Sequence, residues 1–330
     1  MCHACSVSAA PSRPSVPPFA EPVCILGLGL IGGSLLRVLA DTGVRVFGYN
    51  RSAGTVEQAT AAGYDASSDL DAVLTRAART DAVVVLATPF TALPTMLDAV
   101  AATAPNVLLT DVVSVKEQVA ELVATHHPAA RYVGGHPMAG TSASGWEATD
   151  PALFRDAMWM VTTHDDTPAD DWLTIARLAR AAGSYVVPAA DDAHDRAAAA
   201  ISHNPHLTAA ATAAVGAGES DLALRLAAGS FRDGTRVAGT APDLQRAMLE
   251  ANAVALLNTL SATIDRLTAA RDALRDTGSV SVLVDAGHRA RLAYERIAAA
   301  APEPIVDVRV GEDGWAEELR RQAHLARVWM

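Results

Sequence analysis

The sequence predicts a doubly wound α/β domain followed by an all-helical domain. Three observations carry that expectation. Short apolar runs alternate with helical stretches from residue 22, a glycine-rich turn follows the first run, and strand signals nearly vanish after Asp191. The runs at 23–26, 44–49, 82–87 and 107–110 are short, apolar and bounded by turn signals, as buried parallel strands require. Between them, 35–40, 55–62, 70–78 and 93–102 have helical content, and this βαβα alternation marks a doubly wound sheet. Segments 132–134, 159–162 and 185–188 are candidates to extend the same sheet, with 172–182 as one more helix. The expected division is a disordered tail at 1–20, the sheet domain at 21–190, the helical domain at 191–300 and a C-terminal extension at 301–330.

In the second half, 193–214, 221–228, 243–275 and 282–300 read as helices. Thr240-Ala-Pro-Asp243 resembles a helix start, with a hydroxyl cap, an early proline and a carboxylate three residues on. As one helix, 243–275 would run roughly 50 Å, too long for a compact monomer to cover easily. Its Met248, Ala251, Ala255, Leu256, Thr259 and Ile264 are apolar or small at helical spacing, which suits either a dimer face or an internal core. The extension offers 305–310 as a possible strand and is too short for an added regulatory domain.

Composition narrows the function classes. Half of the 330 residues are hydrophobic, enough for real cores, and the net charge of −11 argues against a nucleic-acid partner. No apolar run approaches the roughly 18 residues that cross a bilayer. Cys2, Cys5 and Cys24 are too few for a disulfide framework, and Cys2-x-x-Cys5 reads as inert tail rather than a metal site. The proline-rich start lacks both an apolar signal region and an arginine-rich transit pattern, so the expected location is cytoplasmic. Lys116 is the chain's single lysine, either a chance survivor on a helix surface or a retained functional position.

The glycine-rich turn is Gly27-Leu28-Gly29-Leu30-Ile31-Gly32, a G-x-G-x-x-G between a strand and a helix. In the Rossmann-type dinucleotide site, the first glycine permits the tight turn, the second lets the pyrophosphate approach backbone, and the third allows close helix–strand packing. The phosphates then meet the free N–H groups of the helix start. Dinucleotide sites that select NAD usually carry a carboxylate where this chain has Asn50. Asn50, Arg51 and Ser52 accommodate the extra phosphate of NADP, so the cofactor reading is NAD(P) with a lean to NADP. Thr88 and Pro89, after the run at 82–87, complete the expected cofactor contacts.

Three further segments put polar groups where an enzyme needs them. Ser114, in Thr110-Asp111-Val-Val-Ser114-Val-Lys116, follows a strand at its carboxyl end, as a helix cap or a donor to substrate. Gly134-Gly135-His136-Pro137-Met138-Ala139-Gly140-Thr141 holds an imidazole on a constrained turn, although a lone histidine is more often structural. In Ile201-Ser202-His203-Asn204-Pro205-His206, Pro205 has no N–H for the Ile201 carbonyl, so the helix must kink or restart. The competing reading there is a helix junction capped by Asn204.

Taken in order, Gly27-x-Gly-x-x-Gly-Gly-Ser, Asp111-x-x-Ser-x-Lys116, Gly135-His-Pro-Met-Ala-Gly-Thr141, Ser202-His-x-Pro-His206 and Phe231-Arg-Asp-x-Thr-Arg236 resemble the prephenate/arogenate dehydrogenase family across about residues 22–300. The resemblance implies a Rossmann domain joined to a 6-phosphogluconate-dehydrogenase-like helical dimerisation domain, and a homodimer. It implies oxidative decarboxylation of prephenate to 4-hydroxyphenylpyruvate on the route to tyrosine, or of arogenate to tyrosine. By that resemblance His136 is the base. Ser114 bonds the reacting hydroxyl and orients His136, and Arg236 clamps a carboxylate. His206 contacts substrate with Thr141 nearby, and Asp233 gates the site. Lys116 positions the Ser114 turn, and Arg236, His203, His206 and Arg232 form a cationic funnel.

The chain departs from common family patterns at Asn204, Ser142 and Gln245, which touch the expected substrate side-chain pocket and bear on the keto-versus-amino choice. A β-hydroxyacid dehydrogenase is a second enzyme reading, but that class relies on a lysine in its helical domain, and none is present here. A dinucleotide-sensing protein is the non-catalytic alternative, and it has no need of His136, Ser114 and Arg236 together.

Overall fold

The computed structural model describes residues 19–141 and 143–330. Cys2-x-x-Cys5 and Ser142 lie outside the described residues. Of the expected tail, Phe19 and Ala20 are described; Phe19 is buried against the sheet domain's core, and Ala20 is exposed.

Six parallel strands form the main sheet: β1 (Val23–Leu26), β2 (Val46–Tyr49), β3 (Ala66–Ser67), β4 (Val83–Leu86), β5 (Leu108–Asp111) and β6 (Arg131–Tyr132). Their order is β3-β2-β1-β4-β5-β6, the Rossmann arrangement, with the switch point between β1 and β4. Helices α1 (Leu30–Asp41), α2 (Ala53–Ala61), α3 (Leu70–Thr80), α4 (Leu93–Thr103) and α5 (Glu117–His126) link them. Strand alternation divides the core in two. Val23, Ile25, Val83 and Val85 face one side, while Cys24, Leu26, Val84 and Leu86 face the other, and all are buried. The edge strand β3 is too short to show in the apolar pattern.

The later strands correct one expectation. Only Arg131–Tyr132 joins the main sheet. β7 (Gly135–Pro137), β8 (Met158–Thr162) and β9 (Tyr185–Ala189) form a separate three-stranded sheet, with α6 (Ala169–Ala181) between the last two. The switch happens at Val133-Gly134. Val133 N–H still donates to Leu109 O (3.0 Å), but Gly134 N–H turns to Thr162 Oγ1 (2.7 Å), so the chain leaves one sheet for the other within a residue.

The helical half begins with α7 (Asp191–Ala198), which widens into a π turn at Ala199–His203 and continues as α8 (Asn204–Glu219). The proline-induced irregularity thus takes the form of one wide turn rather than a break, immediately before Pro205. α9 (Asp221–Leu226), α10 (Gly229–Thr235) and a 3-10 turn at Arg236–Gly239 follow.

The single long helix is the second correction. The chain forms α11 (Pro242–Ala251) and α12 (Ala253–Thr277), bent by 95°. Asn252 sits buried at the corner, and its side chain bonds Asp195 O (2.8 Å) and His203 Nδ1 (3.0 Å), so the corner is tied to α7. Nor does Thr240 cap α11: its N-cap is Ala241, without a side-chain bond. Met248, Ala255 and Leu256 pack with Ala199 and Leu207 in a small internal core, whereas Ile264 is exposed. α13 (Ser281–Ala299) has no buried residue. Among the described residues no single helix is long and apolar enough to cross a membrane.

The extension folds back onto the α/β half. β10 (Glu303–Pro304) pairs with β11 (Arg327–Val328), and α14 (Trp315–Ala323) lies between them. The segment 305–310 is not a strand. The Val306 N–H and C=O bond the Gln322 side chain (3.1 and 2.8 Å) instead of another strand. Trp315 and Trp329 meet Trp172 edge-on, at 5.6 and 5.4 Å between centroids, and Trp329 bridges to Val186 of β9. Leu319 is fully buried in that core. Leu319→Ala is therefore expected to destabilise the protein by about 2–5 kcal/mol in urea unfolding. A loss below about 1 kcal/mol would show that the extension does not share the core.

Candidate active site

At the switch point, Gly27 holds φ 106°, and a Cβ there would lie 2.6 Å from Ala87 O. A Cβ at Gly32 would run into the Gly27 carbonyl, while one at Gly29 would meet nothing within 4 Å. The α1 N-terminus has Gly29 as its N-cap, with no side-chain cap on its N–H groups. Thr88 Oγ1, after β4, is buried without a partner. An open backbone, uncapped helix N–H groups and an orphaned hydroxyl fit a dinucleotide. Leu28 N–H donates to Asn50 Oδ1 (3.1 Å), so the Asn50 amide braces the loop and keeps its NH₂ as a donor. Ser52 caps α2 through Thr55 N–H (3.3 Å), and Arg51 and Pro89 are exposed.

Across the cleft, Lys116 is wholly buried, not a surface survivor. Its Nζ pairs with Asp111 and donates to Gly135 O (2.8 Å). Asp111 also accepts from Val113 N–H (2.7 Å), Tyr132 OH (2.6 Å) and Gly135 N–H (3.3 Å). Burial, and then the Asp111 charge, push the Tyr132 phenol well above its ordinary range, which keeps it a donor. This knot fastens the Ser114 turn to the strand carrying His136.

His136 stands on β7, half-buried, opposite Met160 of β8. Its Nδ1 lies 2.8 Å from His194 Nε2, and His194 Nδ1 lies 2.7 Å from Asp195 Oδ1. His136 Nε2 makes no hydrogen bond among the described residues. Burial, then the neighbouring His194, Lys116 and His203, hold the His136 pKa well below 6.5. No hydrogen bond joins Ser114 to His136 among the described residues; the His136 Nδ1 meets His194 instead.

From the helical half, His203 is buried and bonded to Asn252, and burial lowers its pKa to about 4. Burial, and then Arg236, also lower His206, whose Nδ1 lies 3.4 Å from Gln245 Nε2. Arg232 forms an exposed pair with Asp233 (3.1 Å), whereas Arg236 is exposed with no carboxylate partner among the described residues. Thr141 is exposed and accepts from Ala143 N–H (3.2 Å). His136 feels the charge of His203, His203 that of His206, and His206 that of Arg236, so the four stand as successive neighbours.

Sequence reasoning missed His194, Asp195 and Asn252. A His-Asp pair in the first turns of an alanine-rich helix was a visible signal, but nothing in its spacing aims it at a histidine 58 residues away.

Two family models match: the prephenate dehydrogenase nucleotide-binding domain over residues 35–187 and the prephenate dehydrogenase dimerization domain over 190–284. A crystal structure from Corynebacterium glutamicum, provisionally assigned as a prephenate dehydrogenase, is 44% identical with a TM-score of 0.89, covering 94% of this chain and 99% of that one. The prephenate dehydrogenase of Bacillus subtilis is 32% identical over 238 residues, 69% of this chain and 63% of the relative, so the match spans just under two thirds of that protein. The cyclohexadienyl dehydrogenase of Zymomonas mobilis is 32% identical over 262 residues, 76% of this chain and 88% of the relative.

Removing the amine while keeping the stem tests the buried knot. Lys116→Met leaves the Asp111 charge without its partner, and a loss of about 3–5 kcal/mol is expected in equilibrium unfolding. An unchanged unfolding midpoint would contradict it.

Proposed function

The chain belongs to the prephenate dehydrogenase family, and from that premise we propose that it oxidises and decarboxylates prephenate to 4-hydroxyphenylpyruvate with a nicotinamide cofactor. The observation that carries the proposal is His136, whose Nδ1 is already bonded while its Nε2 is unengaged in the cleft. His136 Nε2 takes the proton of the ring hydroxyl. The bound dinucleotide supplies the acceptor for the hydride on that same carbon. The ring carboxylate leaves as carbon dioxide, and the ring becomes aromatic. Ser114, half-exposed beside the cleft, donates to the reacting hydroxyl, and Arg236 pairs with a substrate carboxylate through its planar fork. His206, His203 and Thr141 contact the substrate, and Asp233, paired with Arg232, stands as the gate.

Gly27–Gly32, Thr88 and Pro89 would hold the dinucleotide, with Asn50 and Arg51 at its adenosine ribose. Asn50 offers an NH₂ donor and Arg51 an exposed charge where a carboxylate would repel a ribose phosphate, so the proposed cofactor is NADP. The proposed assembly is a homodimer. Leu257, Ile264, Leu267 and Leu274 stand exposed along one stripe of α12, beside an α13 with nothing buried, and the matching family model is a dimerization domain.

The testing experiment offers prephenate or arogenate, each with NAD and with NADP, and follows reduced cofactor. Turnover of prephenate is expected, and silence in all four combinations with folded protein would refute the activity. His136→Asn is expected to lower kcat by about 10²–10⁴-fold with a little-changed KM. The pH profile has a definite sign. A lowered His136 pKa keeps Nε2 unprotonated at neutral pH, so kcat/KM is lost only as pH falls through that lowered value. An acid limb at or above 6.5 would contradict it. Asn50→Asp should shift the kcat/KM ratio about tenfold from NADP toward NAD, the effect of one repelled charge.

A further inference from the structure

Building on the reading of His136 as the base, we propose that His194 is its positioning residue. Held by Asp195, His194 accepts the Nδ1–H of His136 and so leaves His136 Nε2 as the base.

The argument is a count of protons. Asp195 stands at the start of α5, where its two oxygens accept the N–H groups of Lys116 (2.8 Å) and Glu117 (3.0 Å). A carboxylate at a helix N-terminus is favoured in its charged form. Burial would raise its pKa, but the hydrogen bonds from His194, Glu117 and Lys116 bring it below the ordinary carboxylate value. An ionised carboxylate only accepts, so the hydrogen in the 2.7 Å contact belongs to His194 Nδ1. In the proposal His194 is the neutral imidazole; with its one N–H given to Asp195, its Nε2 is an acceptor. The hydrogen in its 2.8 Å contact with His136 Nδ1 therefore belongs to His136. Neutral His136 then has its lone pair on Nε2, the reverse of the tautomer that free histidine favours.

The geometry fits the same count. The two rings stand nearly perpendicular, at 81° with centroids 5.0 Å apart, which aims one nitrogen at the other. His194 and Asp195 are both buried, so water does not compete for either contact. The other charged and titratable groups about His136 are committed elsewhere: Lys116 to Asp111, and His203 to Asn252. When Nε2 takes the substrate proton, the new positive charge faces a ring already polarised by Asp195, the logic of a carboxylate behind a catalytic histidine. A second imidazole is interposed here.

The test reads the tautomer directly. In protein labelled with ¹⁵N-histidine at neutral pH, His136 is expected to show a protonated Nδ1 and a bare Nε2, assigned by the signals that His136→Asn removes. His194→Phe is expected to return His136 to the Nε2–H form and to lower kcat on the order of 100-fold, with the substrate KM within about threefold. A proton on Nε2 in the wild type, or a wild-type kcat in His194→Phe, would overturn the proposal. If His194→Phe does not fold, the wild-type spectrum decides alone. An active His136→Asn would remove the base reading itself. A dead His136→Asn with the wrong wild-type tautomer would remove only the relay.

Discussion

The buried pair of Asp111 and Lys116 sets the geometry on which the rest of the cleft depends. Removing both charges from water is costly, and such a pair is tolerable only when the remaining hydrogen-bonding capacity is filled. Here it is. Asp111 receives an ammonium, a phenol and two backbone N–H groups, and the amine donates onward to the Gly135 carbonyl. Asp111 ends β5, and its partners come from the Ser114 turn, β6 and β7. One carboxylate thereby fixes the end of the main sheet, the turn that bears Ser114 and the strand that bears His136. The Lys116 backbone N–H reaches Asp195, so the same residue also anchors the first helix of the second half.

Charge is handled economically around that knot. The chain carries a net charge of −11, and burial lowers the pKa of His136, His203 and His206. Arg236 is left as the permanent cation beside them. In the proposed reaction this arrangement separates two tasks that one group performs poorly: attracting an anion, and accepting a proton at neutral pH.

The local features of this protein were legible and the long-range ones were not. The glycine loop, the strands about it and the irregular turn near Pro205 follow from residues close in sequence, and the doubly wound class of the main sheet follows from the alternation. The break at Asn252 was hidden because the apolar periodicity continues across it. Only contacts to Asp195 and His203 make a corner there. The second sheet was hidden because its membership turns on where a single N–H points, at Gly134. Candidate site residues were legible where a motif confines them, as at His136. His194 and Asp195 acquire meaning only once α7 is laid against β7 and α5. The remaining difficulty was burial. An isolated lysine reads the same in sequence whether it is solvated or sealed.

That sealed lysine has a consequence outside catalysis. Lys116 is the chain's single lysine, and its amine is enclosed by a carboxylate and a carbonyl. Lysine acetylation, ubiquitin transfer to lysine and cross-linking through a lysine all need an accessible ε-nitrogen. In the folded protein they find none, and reaction at this position becomes a report of unfolding rather than of surface exposure.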